Sequence, residues 1–251
     1  MRMLFGSPFG ERYARRRSRT LFRMLDREGI EYDPRQTAIR YVLKTRLFPW
    51  GLCRFSKCFR KELDRWVTVV GFENLAPLLD NGSGVLLLTG HFGIGLIVKV
   101  ALAAKGYTVH NLRGSDGFVR RYGLTAGDLP FKEMYIEDDE SPGLVRTTTK
   151  VRDLLRSGNI VMSTLDGNKR GGDDIWLPLM GYRRPFRTGL PVIAALAGAR
   201  IVQYVATPRE DGSIEVRFDR PFPAFLNDRS PVAYAEEIVR AFFQCLRAAR
   251  F

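Results

Sequence analysis

The chain has 251 residues, 45% of them hydrophobic, enough to build one large α/β unit or two small ones. Its net charge of +13 calls for an anionic partner: nucleic acid, an acidic membrane surface or an acidic protein. Three cysteines (Cys53, Cys58, Cys245) without C-x-x-C spacing, and only two histidines, argue against a disulfide framework and a zinc centre and for inert thiols in a reducing compartment.

Charge is concentrated at the beginning of the chain. Residues 1–65 hold 17 basic against 7 acidic residues, so most of the excess lies in the first quarter. Here 12–25 and 36–48 have apolar residues at roughly helical spacing, with breaks at Asp33-Pro34 and Phe48-Pro49-Trp50. The stretch LFPWGLCRFSKCF (47–59) is aromatic and basic and lacks an acid. That composition suits a membrane interface, with Trp50, Arg54 and Phe55 facing the headgroups; a solvated basic helix is the alternative. No apolar run reaches the ~18 residues of a spanning helix. The basic start carries no long apolar stretch, so a cleavable signal is not expected.

From residue 66 the pattern becomes that of an α/β core. Short strands are expected at 66–71, 84–90, 107–114, 159–166, 200–207 and 213–219. Helices are expected at 74–79, 96–104, 143–156, 187–196 and 231–251. Their alternation predicts βαβ units and a mostly parallel sheet flanked by helices. No repeat and no long linker divides the chain. One domain over 1–251 is therefore expected, with a basic helical segment (1–65) facing a membrane and an α/β core (66–251).

Ligand sites of such sheets gather at the carboxyl ends of the strands. Three strands end in polar groups: 84–90 leads into His91, 107–112 into Arg113 and 159–165 into Asp166. Right-handed crossovers bring these ends to one edge. His91 precedes a helix, whose amino end favours the neutral imidazole, a form able to act as a general base. Gly93 and Gly95 leave backbone room for a ligand. Lys169 and Arg170, in the loop GNKRGG, could hold a phosphate or be solvated. His110, inside a strand, is assigned a structural role. Asp173-Asp174 lacks a nearby histidine, so no metal is expected.

The run RWVTVVGFENLAPLLDNGSGVLLLTGHFG, then NLRGSD, then LDGNKRGGDDIWLPLMGYRRPFRTGLPVIAALAGARIV, occur in one order between about residues 65 and 220. Together they resemble the lysophospholipid acyltransferase superfamily, in its bacterial lipid A late-acyltransferase (lauroyl/myristoyl) branch. Asp166 and Pro178 reproduce that branch's spacing from an acid to a Pro-x-x-Gly stretch, and Thr188-Gly189 its following helix. The resemblance implies a glycerol-3-phosphate acyltransferase-like fold and transfer of a fatty acyl group from acyl carrier protein or coenzyme A. The acceptor would be a hydroxyl or amine of a lipid-like molecule at the cytoplasmic membrane face. His91 would be the base and Arg113 the family's strand arginine; no metal or bound cofactor is implied. The family places Asp or Glu five residues after its histidine, where this chain has Leu96. Asp166, or failing it Asp116, is the substitute acid expected from the strand-end argument. A non-catalytic lipid- or carrier-binding homologue is the competing expectation. Nucleic acid is not an expected partner, because no helix-turn-helix, RNP or zinc pattern is present.

Overall fold

The computed structural model describes residues 8–27, 29, 31–42, 63–90, 95–114, 127, 129–136, 141–166, 174–179, 182–209, 213–226 and 230–248. Its basic amino-terminal part is helical: α1 (Pro8–Arg17), α2 (Arg19–Arg27) and α3 (Pro34–Val42). Helical hydrogen bonding runs on through the α1–α2 junction, because Ser18 N–H donates to Ala14 O (3.0 Å) and Phe22 N–H to Ser18 O (2.9 Å). The break expected at Asp33-Pro34 is the start of α3. The Asp33 side chain accepts from the N–H groups of Arg35 and Gln36 (2.8 and 3.1 Å), and Pro34 needs no donor at the first helical position. Ala14, Ala38 and Val42 are the buried contact between α1 and α3.

The other described strands and α-helices are β1 (Val67–Val70), α4 (Ala76–Asp80), β2 (Val85–Thr89), α5 (Leu96–Ala104), β3 (Val109–Arg113) and β4 (Lys132–Tyr135). They continue with α6 (Ser141–Arg156), β5 (Ile160–Thr164), β6 (Ile175–Leu179), β7 (Tyr182–Phe186), α7 (Gly189–Ala197), β8 (Arg200–Pro208), β9 (Ile214–Phe218) and α8 (Pro231–Ala248). Seven strands form one sheet in the order β1-β9-β8-β2-β5-β3-β4. Every pairing in it is parallel except β8 with β9, so the mostly parallel α/β architecture expected from the sequence is found. Among the described residues, all six expected strands occur within a residue or two of their predicted limits. The short strand β4 and the antiparallel hairpin β6–β7 are additional.

β2 lies at the centre and is buried along its length. Val85 and Leu87 face one layer, with Ile97, Val98 and Leu102 of α5. Leu86 and Leu88 face the other, with residues of α6, α7 and α8. A strand covered on both sides needs apolar residues at every position, which is why GVLLLTG reads as a continuous run. The hairpin β6–β7 is anchored to α8 by Phe186, fully buried and packed edge-on against Phe242 and Phe243 (centroids 6.5 and 5.8 Å). α6 is longer at its start than expected. Thr147 lies within it, and its hydroxyl donates back to Gly143 O at 3.0 Å.

The entry to β2 tolerates no side chain. A Cβ on Gly84 would come within 1.9 Å of Leu155 O and 2.6 Å of Leu155 C, both backbone atoms of α6. Gly84→Ala should lower stability by about 3 kcal/mol, the upper range for overpacking, read as a reduced midpoint in urea unfolding.

Candidate functional site

The carboxyl edge of the sheet is built by register. Thr89 of β2 pairs with Thr164 of β5, and the ladder extends one residue beyond, where Leu165 N–H donates to Thr89 O at 3.0 Å. Leu165 O in turn accepts from Arg187 N–H at 2.9 Å. Leu165 is thus clamped between the end of β2 and the segment leaving β7, which sets Asp166 at the rim, partly exposed. Gly90, just past the end of β2, is buried and is joined by one peptide bond to His91. Adjacent strands are ~4.8 Å apart. Asp166 is therefore one strand from the end of β2, and Arg113 of β3 is two strands away, about 10 Å, with β5 between them. The structure brings Asp166, Arg113 and the end of β2 to one edge, as the sequence predicted. His91, Gly93, Asp116, Lys169 and Arg170 lie outside the described residues, as do Trp50, Arg54 and Phe55 of the expected membrane-facing stretch.

Pleating carries a polar row along this edge on the α5 side. Alternation from the paired positions places Tyr204, Thr89, Thr164, Arg113 and Tyr135 on one face at one level. Tyr204 is fully buried with Thr89 as its polar neighbour, and burial raises its pKa far above the ordinary phenol value. It therefore keeps its proton at neutral pH and acts only as a neutral hydroxyl. A Cβ at Gly95 would meet the Tyr204 hydroxyl at 3.4 Å and Thr89 Cγ2 at 3.7 Å. These two side chains thus sit at ordinary van der Waals distance from Gly95, the partly exposed residue that precedes α5. Leu96 starts α5 and packs against the apolar cluster beneath it, which explains how leucine is accommodated there.

Arg113 has a partner that the sequence did not announce. Glu133 of β4 has a side chain only 3% exposed. Its Oε2 accepts a hydrogen bond from Asn111 Nδ2 at 2.8 Å, and its Oε1 lies 3.5 Å from Arg113 Nη1. Glu133 compensates the arginine's charge, so Arg113 presents less net charge to an anion than a lone guanidinium would. Tyr204 and Glu133 were not picked out from sequence. An apolar run such as RIVQYVAT predicts burial but not which hydroxyl meets which strand, and nothing in FKEMY marks its carboxylate as buried.

His110 has the structural role expected of it. It is buried in β3, and its pKa falls below the ordinary 6.5. Burial is the main cause, the positive Lys132 and Lys150 add to it, and the hydrogen bond with Asn159 opposes it. As pH drops below about 6.5, the unfolded chain takes up a proton that the folded one refuses, so the stability held above that pH is lost. His110→Gln should flatten the fall in unfolding free energy between neutral and mildly acidic pH, measured by urea titration at each pH.

The described residues thus define an open α/β sheet of the kind that binds ligands at the carboxyl ends of its strands. Among the described residues there is no cluster of His, Cys, Asp and Glu able to hold a metal ion, and no helix is long and apolar enough to cross a membrane. No family model matches the chain, and no curated protein matches it. Among solved structures it is similar to the crystal structure of the 1-acyl-sn-glycerophosphate (LPA) acyltransferase PlsC from Thermotoga maritima. The two are 14% identical over 95% of each chain, with a TM-score of 0.43.

Proposed function

We propose that the protein transfers a fatty acyl group from an acyl thioester, carried by acyl carrier protein or coenzyme A, to a hydroxyl or amine of a lipid or glycolipid acceptor at a membrane surface. His91 is the general base in this reading: it takes the proton of the acceptor nucleophile as that atom attacks the thioester carbonyl, and the thiol of the carrier leaves. Asp166 is the acid that orients the imidazole in place of the residue lost at position 96. The observation that supports this best is the clamp on Leu165. It sets Asp166 one strand from the point where the chain enters His91, the nearest described strand-end carboxylate to that point. The ordered resemblance from residue 65 to 220 supports the choice of reaction. No bound cofactor is part of the scheme.

Leu96 favours one second reading. Its side chain belongs to the packed layer under α5, so the chain has given an apolar, structural role to the position where the family carries its acid. A lipid- or carrier-binding homologue without catalysis would look the same there. Incubation with acyl-carrier and acyl-coenzyme A donors and a lipid extract, followed by mass spectrometry, separates the two. An acylated product that disappears in His91→Ala establishes transfer, and no product with any donor leaves binding alone.

A further inference from the structure

The α1–α2 helix carries a stripe of arginine where an amphipathic helix usually carries apolar residues. Arg12, Arg15, Arg16, Arg19 and Phe22 follow the spacing i, i+3, i+4, i+7, i+10, and hydrogen bonding through Ser18 keeps them on one helical face. These five residues line an open groove of ≈ 530 Å³. Arg15 is neutralised by Glu11 at 2.9 Å, and Glu11 also receives Arg35 at 3.4 Å. Arg12, Arg16 and Arg19 are exposed, and among the described residues no carboxylate pairs with them. Phe22 is stacked on Tyr32 at 5.3 Å, and the Tyr32 hydroxyl donates to Asp26 at 2.9 Å, so the apolar end of the groove is fixed.

Like charges at i, i+4 on one helix face repel. Here they stand within the ~10 Å over which salt leaves charges coupled. An anion seated among them relieves that repulsion. From Arg12 to Arg19 the stripe runs about 10 Å along the helix axis, at 1.5 Å per residue. Five lining residues make a footprint far below the ~800 Å² per partner of a stable protein interface. The groove is therefore of a size for small phosphate groups rather than a folded acidic protein. The neighbouring exposed Tyr13, with the Arg17 guanidinium 5.5 Å over its ring, adds the aromatic and arginine pairing that suits a lipid–water boundary.

We infer that this groove is a binding site for the phosphate headgroups of anionic phospholipids, set on a bilayer surface by Arg12, Arg16 and Arg19 with Phe22 at its apolar end. The site stands on the groove alone and does not depend on acyl transfer.

The test is flotation of the full chain with phosphatidylcholine vesicles, with and without 20 mol% phosphatidic acid, at low and high salt. The wild type should float with the anionic vesicles at low salt and release at high salt. Arg12→Gln/Arg16→Gln/Arg19→Gln should weaken this binding at least tenfold with its helical circular dichroism intact. The control Lys105→Gln/Arg220→Gln/Arg240→Gln removes the same charge from exposed positions elsewhere and should stay within twofold of wild type. The single reversal Arg16→Glu repeats the test with little risk to the helix. Equal losses in the triple variant and the control would mean that only total charge matters and would overturn the site. So would wild-type binding by either stripe variant. Stripe-dependent binding of poly-glutamate as tight as that of the vesicles would also overturn it, in favour of an acidic protein. Inorganic phosphate competing at millimolar concentration would confirm the phosphate chemistry.

Discussion

His91→Ala should cut acyl transfer at least ~10³-fold while leaving the folded chain intact. General-base catalysis contributes ~10²–10⁴ in rate, and this chain has only one other histidine to take over the role. That other, His110, is buried within β3 and held by Asn159, with its charged form disfavoured, so it cannot substitute. The measurement is the initial rate of product formation from an acyl thioester, with circular dichroism and urea unfolding as controls. A variant as active as wild type would remove His91 from the mechanism.

Asp166→Asn should be nearly as damaging, with a loss of up to ~10⁴ in rate. Replacing the acid that orients a catalytic histidine by its amide has an effect of that size in serine proteases, because the imidazole is then held in the wrong tautomer. Asparagine keeps the shape of the side chain. The main-chain bonds at Leu165, to Thr89 O and from Arg187 N–H, do not involve the side chain at 166 and are retained in the variant. The effect should fall on the maximal rate more than on the apparent affinity for the donor. The double variant Asp166→Asn/Leu96→Glu is the complementary test. If position 96 can still reach the histidine from the first turn of α5, a carboxylate there should restore at least tenfold of the lost rate. Its cost is the apolar contact that Leu96 makes with the cluster below, visible as reduced stability. Full activity in Asp166→Asn would remove Asp166 from the orienting role.

Much of this arrangement was legible in the order of residues. Glycine-bounded apolar runs of strand length such as GVLLLTG read as strands covered on both faces, and their alternation with periodic apolar segments predicted a parallel sheet. In such a sheet the strand ends share an edge, so Arg113 and Asp166 could be assigned to one rim without coordinates. The short elements were not legible. β4 and the β6–β7 hairpin are four and five residues long, and their sequences (KEMY, IWLPL, YRRPF) do not stand out from loop. β4 is a strand because β3 offers it hydrogen bonds, and β6 and β7 because they pair with each other and, at Phe186, pack into a buried cleft beside α8.

Chemistry along the chain determined the strands and helices, the basic amino-terminal helices, the residue at the end of each strand and the unusual leucine at position 96. Those follow from side-chain period and composition, which are local. Tertiary structure alone decided the strand order that sets β5 between β2 and β3, and with it Asp166 beside the end of β2 and Arg113 one strand further away. It also decided that Glu133 compensates Arg113, that Tyr204 and Thr89 neighbour Gly95, and that Leu96 packs, partly buried, against the core. Each of these depends on register between strands far apart in sequence, and register is set by the packing of whole faces, which no local pattern encodes.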